Sequence, residues 1–208
     1  MIAFREKTPK RRENPTHNPT GNNWATHKPD LKEDFYSRCG YCDSFDGYRH
    51  TYFEVDHFIP KDFFKDLGNI ALTEYKNLVY SCKFCNNSKR AKWPSEREDI
   101  FHINNEGFED PATELYETHF YRTQDGGIMW KTELGKWMFR EAFKFDERQE
   151  SIKVLWNLNK LRLIIESLAL ILQNHSEESF EYQNLKSKIG EYSYQYFLYH
   201  KELINYYG

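Results

Sequence analysis

The four cysteines of this 208-residue chain fall into two Cys-x-x-Cys pairs, Cys39/Cys42 and Cys82/Cys85, set on either side of Glu54-Val55-Asp56-His57-Phe58-Ile59-Pro60. Each two-residue spacer lets both of its sulfurs reach one ion, and four thiolates grouped two and two suit a tetrahedral zinc at about 2.3 Å. Disulfides are the competing use of paired cysteines. Met1 to Pro15 is charged and carries no apolar h-region, so the expectation is a reduced, cytoplasmic protein in which Cys39, Cys42, Cys82 and Cys85 hold a structural zinc. A closed four-thiolate site leaves no coordination position for Asp56 or His57. That pair must have another task.

His50 to Asp56 is rich in β-branched and aromatic residues and reads as a strand that Pro60 closes. Neighbouring side chains on a regular strand point to opposite faces, whereas a chain leaving its strand can aim Asp56 and His57 at one phosphate. Asn77 to Ser81 reads as a second strand. Asn86 to Arg90 reads as the opening of a short helix that stops before Pro94. From Cys39 to about Lys92 the order is Cys-x-x-Cys, Asp56-His57-x-x-Pro60, Asn77-Leu78-Val79, then Cys-x-x-Cys-Asn86-x-x-Lys89. This run resembles the HNH endonucleases, whose ββα-metal motif cleaves phosphodiesters.

Phosphodiester hydrolysis needs an activated water, neutralisation of charge at phosphorus and a stabilised leaving 3′ oxygen. A neutral imidazole serves the first need, which makes His57 the candidate general base. A hard divalent cation such as magnesium serves the other two through oxygen ligands, and Asp56 and Asn86 offer them. The resemblance implies the same roles: Asp56 and Asn86 as catalytic-metal ligands, His57 as base, and Asn77 as a brace for the loop that bears the histidine. Asn87 is a neighbouring alternative to Asn86, which the Asn-x-x-Lys register favours. The third family letter is Asn here rather than His, which fits magnesium better than a softer metal. The other histidines show no ligand spacing and read as surface or satisfied core groups. The rival from a different class is a non-catalytic zinc ribbon that binds a partner; retention of the Asp56-His57 pair favours the enzyme.

A formal net charge of −3 is unusual for a protein that grips DNA, so any basic footprint has to be local. One candidate is Lys83, Lys89, Arg90 and Lys92 around the motif helix, expected to contact phosphate. Another is Arg5, Lys7, Lys10, Arg11 and Arg12 near the N-terminus, read either as a phosphate strap or as a disordered tail. Up to residue 30 the chain is rich in Pro, Asn and Thr and reads as an extended arm anchored by Trp24. A short helical piece is expected through Phe63, Phe64 and Leu67. No stretch approaches the roughly 20 apolar residues of a membrane span.

Leu115 to Arg122 and Ile128 to Thr132, joined across Gln124-Asp125-Gly126-Gly127, read as a β-hairpin. Val154, Leu158, Leu161, Ile165, Leu168 and Leu172 step by four and three, as do Tyr182, Leu185, Ile189, Tyr192, Tyr196, Tyr199, Leu203 and Tyr206. With Asn174 as a left-handed C-cap and Ser176 as N-cap, these seams predict an antiparallel helical hairpin. Leu163, Ile164, Leu170 and Ile171 leave its first helix apolar on further sides, to be covered by the body, a second copy or a partner protein.

The expected fold is α+β: an extended arm over residues 1–30, an HNH core with zinc knuckles over 31–109, an accessory β-hairpin segment over 110–146 and the helical hairpin over 147–208. The expected function is a metal-dependent DNA endonuclease in bacterial anti-phage defence. The alternatives are a nuclease subunit active only beside a partner such as an ATPase, and the zinc-ribbon binding module.

Overall fold

The computed structural model describes residues 1–64, 69–95 and 97–207, with the side chains of Phe63, Phe64 and Tyr207 excepted; the expected helical contribution of Leu67 lies outside the described residues. The chain divides into two compact units, Met1–Gln149 and Glu150–Gly208.

At the centre of the first unit, β1 (Phe53–His57) pairs antiparallel with β2 (Leu78–Cys82) in the register Asp56↔Val79 and His57↔Leu78. Helix α1 (Lys28–Asp34), led by a 3-10 turn over Trp24–His27, precedes this pair, and α2 (Lys61–Phe64) opens the connection between its strands. Helix α3 (Lys83–Lys89) leaves β2 directly, beginning three residues earlier than its expected opening at Asn86. The reason lies at Cys82. Its extended backbone acts as the N-cap position, so the second Cys-x-x-Cys pair spans the strand-to-helix turn. All five residues of β2 are buried, as expected for a strand covered on both faces.

A small hairpin of β3 (His102–Ile103) and β4 (Glu106–Gly107) follows, turned by Asn104 and Asn105 with φ of 51° and 64°. Two consecutive positive φ values are the requirement of a hairpin turn that asparagine meets at low cost. Beyond it come α4 (Glu114–Thr118), β5 (Phe120–Arg122), β6 (Ile128–Trp130) and α5 (Glu133–Trp137), which continues into a π-helical turn over Met138–Ala142 and is followed by a 3-10 turn over Asp146–Arg148. The hairpin expected from Leu115 is present only from Phe120, since Leu115 to Thr118 is helical. Asp110 explains the difference: its Oδ1 accepts from Ala112 N at 2.9 Å and its carbonyl from Thr113, turning the chain into a helix whose Glu114 favours the N-terminal dipole.

The three two-stranded sheets among the described residues provide little layered packing, and aromatic rings fill the interior instead. Tyr41 stacks on Phe143 at 4.6 Å and Phe143 on Phe145 at 5.3 Å, with Phe4, Tyr116 and Phe120 clustered beside them. Offset and edge contacts of this kind add to the burial of large apolar surfaces.

The N-terminal segment belongs to this interior, which corrects both readings of its arginines. Phe4 and Arg5 are buried and Ile2 bridges to Arg122. Arg5 donates to Glu117 and to the carbonyls of Pro111 and Gly40; Arg11 grips Asp110 with both terminal nitrogens; Arg12 pairs with Asp30, Glu33 and Asp34. These guanidiniums are committed to carboxylates and main-chain oxygens of the same unit. They form neither a phosphate strap nor a free tail.

Arg122 has the largest structural role. Only 2% exposed, it donates to the carbonyls of Phe4 at 3.0 Å, Gly126 at 3.1 Å and Cys42 at 2.9 Å, joining the N-terminal segment, the β5–β6 turn and the first cysteine pair. Removing the guanidinium would strand these carbonyls and leave nearby Asp43 with Arg38 as its cation. Arg122→Ala is expected to cost about 3–5 kcal/mol in a urea unfolding titration. An unchanged midpoint would overturn this role.

The second unit is the expected antiparallel helical hairpin, of α6 (Gln149–Leu172) and α7 (Phe180–Tyr207). Its turn is capped differently from expectation. Asn174 does not enter the left-handed region, and Ser179 rather than Ser176 supplies the cap, its Oγ accepting from Tyr182 N at 3.1 Å. Ser176 lies one turn too early; its carbonyl accepts from Ser179. Leu170, Ile171, Tyr194, Phe197, Leu198 and Ile204 are exposed, more apolar surface than scattered single residues would present.

Candidate metal centre and catalytic cleft

The two cysteine pairs converge. The Sγ atoms of Cys39, Cys42, Cys82 and Cys85 are buried and all lie within 4.8 Å of one another, with Cys42 and Cys82 3.8 Å apart. A tetrahedron with metal–sulfur bonds of about 2.3 Å has edges of about 3.8 Å. The four sulfurs therefore fit one tetrahedral ion. The Arg148 guanidinium lies 3.4 Å from Cys85 Sγ, a cation placed against a cluster that becomes anionic when its thiols ionise.

Each cysteine pair also carries a neighbour into the second site. Tyr41, inside the first pair, donates its hydroxyl to Asp56 Oδ2 at 2.6 Å. Asn86 follows Cys85 directly on α3. Asp56, His57 and Asn86, together with Glu54, Trp24, Lys28, Lys61 and Arg90, line one cleft of about 510 Å³. Because β1 ends at His57, Asp56 and His57 both reach this cleft although they are adjacent in sequence.

Within the cleft each polar group has a defined orientation. His57 Nε2 lies 2.8 Å from the carbonyl of Leu72, which can only accept, so Nε2 carries the proton and Nδ1 is left with its lone pair. Burial pushes His57 below the ordinary imidazole pKa and favours the neutral form. Trp24 packs edge-on against the imidazole, ring centres 5.1 Å apart. Asn77 takes Ile59 N on its Oδ1 at 2.8 Å and donates Nδ2 to Ile59 O at 3.1 Å, clamping the segment that follows His57. Asn86 Nδ2 donates to Glu54 Oε2 at 2.8 Å, which leaves the amide oxygen Oδ1 as the atom able to accept a hydrogen bond or bind a cation. Tyr41 and Lys89 both hold Oδ2 of Asp56, and Oδ1 has no hydrogen bond among the described residues.

Lys89 departs from its expected phosphate contact. It is fully buried, donating Nζ to the carbonyl of His57 at 2.7 Å and pairing with Asp56 at 3.1 Å. Burial lowers its pKa, opposed by the Asp56 charge. It is an internal strut. Arg90 is exposed and lines the cleft, Lys83 is exposed with its ammonium 5.9 Å from the centre of the Tyr52 ring, and Lys92 donates to the carbonyl of Glu141.

Sequence reasoning missed Trp24, Lys28, Glu54 and Lys61 as cleft residues. Glu54 was within reach, being two residues before Asp56 and so on the same strand face. Lys61 and Trp24 carry no such signal. They are brought together by tertiary packing, with the Lys61 ammonium 4.8 Å from the centre of the Trp24 ring.

Residues 39–92 match the family model described as HNH endonuclease, and this segment is an HNH domain. The chain is also similar to Septu protein PtuB of Bacillus thuringiensis, with 36% identity over 64 residues. That stretch is 31% of this chain and 23% of the relative, so the match spans about a quarter of the relative's length. No solved structure matches the chain.

Proposed function

We propose that the protein is a metal-dependent endonuclease hydrolysing DNA phosphodiester bonds, with a structural zinc on Cys39, Cys42, Cys82 and Cys85. The observation that carries this reading is the convergence of Asp56, His57 and Asn86 on one cleft within the HNH domain. A magnesium-type ion held by Asp56 Oδ1 and Asn86 Oδ1 would neutralise charge on the phosphate and on the leaving oxygen. His57 Nδ1 takes a proton from the attacking water while the Leu72 carbonyl holds its Nε2–H. The oxygen of that water bonds to phosphorus, the P–O3′ bond breaks, and solvent protonates the 3′ oxygen. Tyr41 and Lys89 hold Asp56, Glu54 orients Asn86, and Asn77 fixes the segment after His57. Lys28, Lys61 and Arg90 supply positive charge at the cleft despite the acidic balance of the chain.

The biological setting we propose is bacterial anti-phage defence, supported by the 64-residue likeness to Septu protein PtuB. A second reading, activity only in complex with another protein, is favoured by the exposed Leu170, Ile171, Phe197 and Leu198 of the helical hairpin. Supercoiled plasmid incubated with the purified, zinc-loaded protein and magnesium tests both. Nicked or linear product from the protein alone, absent without magnesium, is the expected result. Cleavage that requires a co-purifying partner would establish the second reading, and no cleavage in either case would overturn the enzyme.

A further inference from the structure

A second groove meets the catalytic cleft at Ala25 and Lys28, which line both. Its volume is about 970 Å³, and its walls include Lys28, Lys32, Arg49, Tyr52 and Asp46. Asp46 is already engaged by Lys32 at 2.7 Å and by the Tyr80 hydroxyl at 2.6 Å. Lys28 and Arg49 are exposed and form no salt bridge among the described residues, although the Lys28 charge also acts on Asp46. Tyr52 is 77% exposed, on the loop just before β1, with the Lys83 ammonium over one face of its ring, 5.9 Å from the ring centre. In a chain of net charge −3, this is a local cationic track that leads out of the catalytic cleft and ends at an open aromatic ring. An exposed aromatic beside a cationic track suits a polyanion whose bases are free to stack. A duplex keeps its base faces covered, whereas a single strand offers them.

We propose that this groove binds the unpaired nucleic-acid strand flanking the scissile phosphate, with its backbone along Lys28 and Arg49 and a base stacked on Tyr52. This rests on the nuclease reading of the adjoining cleft and adds the class of substrate: an unpaired strand, or a duplex end or junction that supplies one. Lys28 lies where the two grooves join and sets the path of the chain between them. Arg49 and Tyr52 lie outside the hydrolytic machinery, and this separation makes the proposal testable.

The test uses the full-length protein without added magnesium and fluorescence anisotropy with a short labelled DNA strand, compared with the same strand annealed to its complement. The wild type is expected to bind the single strand more tightly than the duplex. Tyr52→Ala should weaken single-strand binding about tenfold, from the loss of one stacked base, and leave duplex binding unchanged. Arg49→Ala should reduce the slope of log affinity against log salt by about 1, the signature of one lost phosphate contact. Both variants should hydrolyse bis(p-nitrophenyl) phosphate, which needs only the catalytic cleft, at the wild-type rate. Single-strand affinity and salt slope unchanged in both variants, or a wild-type preference for duplex, would overturn the proposal. Failure of the wild type to hydrolyse the small diester would overturn the nuclease reading instead, and the anisotropy result would still decide the groove.

Discussion

His57→Ala is expected to lower DNA cleavage by about 100- to 10,000-fold, the usual contribution of a general base, while leaving fold and zinc content intact. The imidazole donates to the Leu72 carbonyl and packs on Trp24, and it is not one of the four residues whose sulfurs form the metal cluster. Deleting it should therefore remove a proton acceptor and spare the metal clamp. Two comparisons make the result specific. Asn77→Ala leaves the base in place but frees Ile59 from its paired hydrogen bonds, so it should lower both stability and rate. Asn86→Ala should raise the magnesium concentration needed for half-maximal rate, since it removes a proposed metal-ligand oxygen rather than the base. Plasmid cleavage across a magnesium titration, with unfolding curves for each variant, separates the three. Wild-type cleavage by His57→Ala would place the base elsewhere.

How far this site was legible in the sequence follows from where each residue takes its information. Cysteine spacing, Pro60 and the Asn-x-x-Lys run are local signals, and they identified the strand, strand, helix order and the residues that meet in the cleft. The error at Lys89 was avoidable. It lies four residues after Cys85 on α3, so the two share a helix face, and a face that turns a thiol to a buried metal site turns Lys89 inward as well. Asn86 on α3 and Arg90, which follows the helix as its C-cap, both line the cleft. The N-terminal segment was misread for a different reason. Its Pro, Asn and Thr content predicts coil, and the segment does lack regular structure before Trp24, but Phe4, Arg5, Arg11 and Arg12 fix it through partners far along the chain. Long-range ion pairs leave no periodic trace. Trp24, legible as the anchor of the arm but not as a cleft residue, and Tyr52 escaped for the same reason, since only the folded chain places one on His57 and the other at the end of a cationic groove.

The largest loss is expected from breaking the metal clamp. Cys82→Ser, or removal of the ion by a chelator, should abolish the cooperative unfolding transition of the first unit and with it all cleavage. Binding a structural zinc contributes about 10–16 kcal/mol in small zinc domains, and that energy is folding energy. It exceeds the whole stability of a typical domain, about 5–15 kcal/mol, at the lower end of that range. The four sulfurs are also buried, and the protein groups that reach them are weak substitutes for a metal: the hydroxyls of Ser81 and Ser44 at Cys39 and Cys42, and Arg148 at Cys85. The damage should spread to the catalytic cleft by two short routes. Tyr41, between Cys39 and Cys42, holds Asp56, and Cys85 fixes the first turn of the helix that carries Asn86. Tyr41→Phe isolates the first route: it keeps the ring stacked on Phe143 but loses the hydrogen bond to Asp56. It should retain zinc and fold while needing more magnesium for half-maximal cleavage. Elemental analysis gives the zinc content and calorimetry the transition. A zinc-free protein with an unmoved transition would refute the clamp, and an unchanged magnesium dependence in Tyr41→Phe would cut the first route from clamp to cleft.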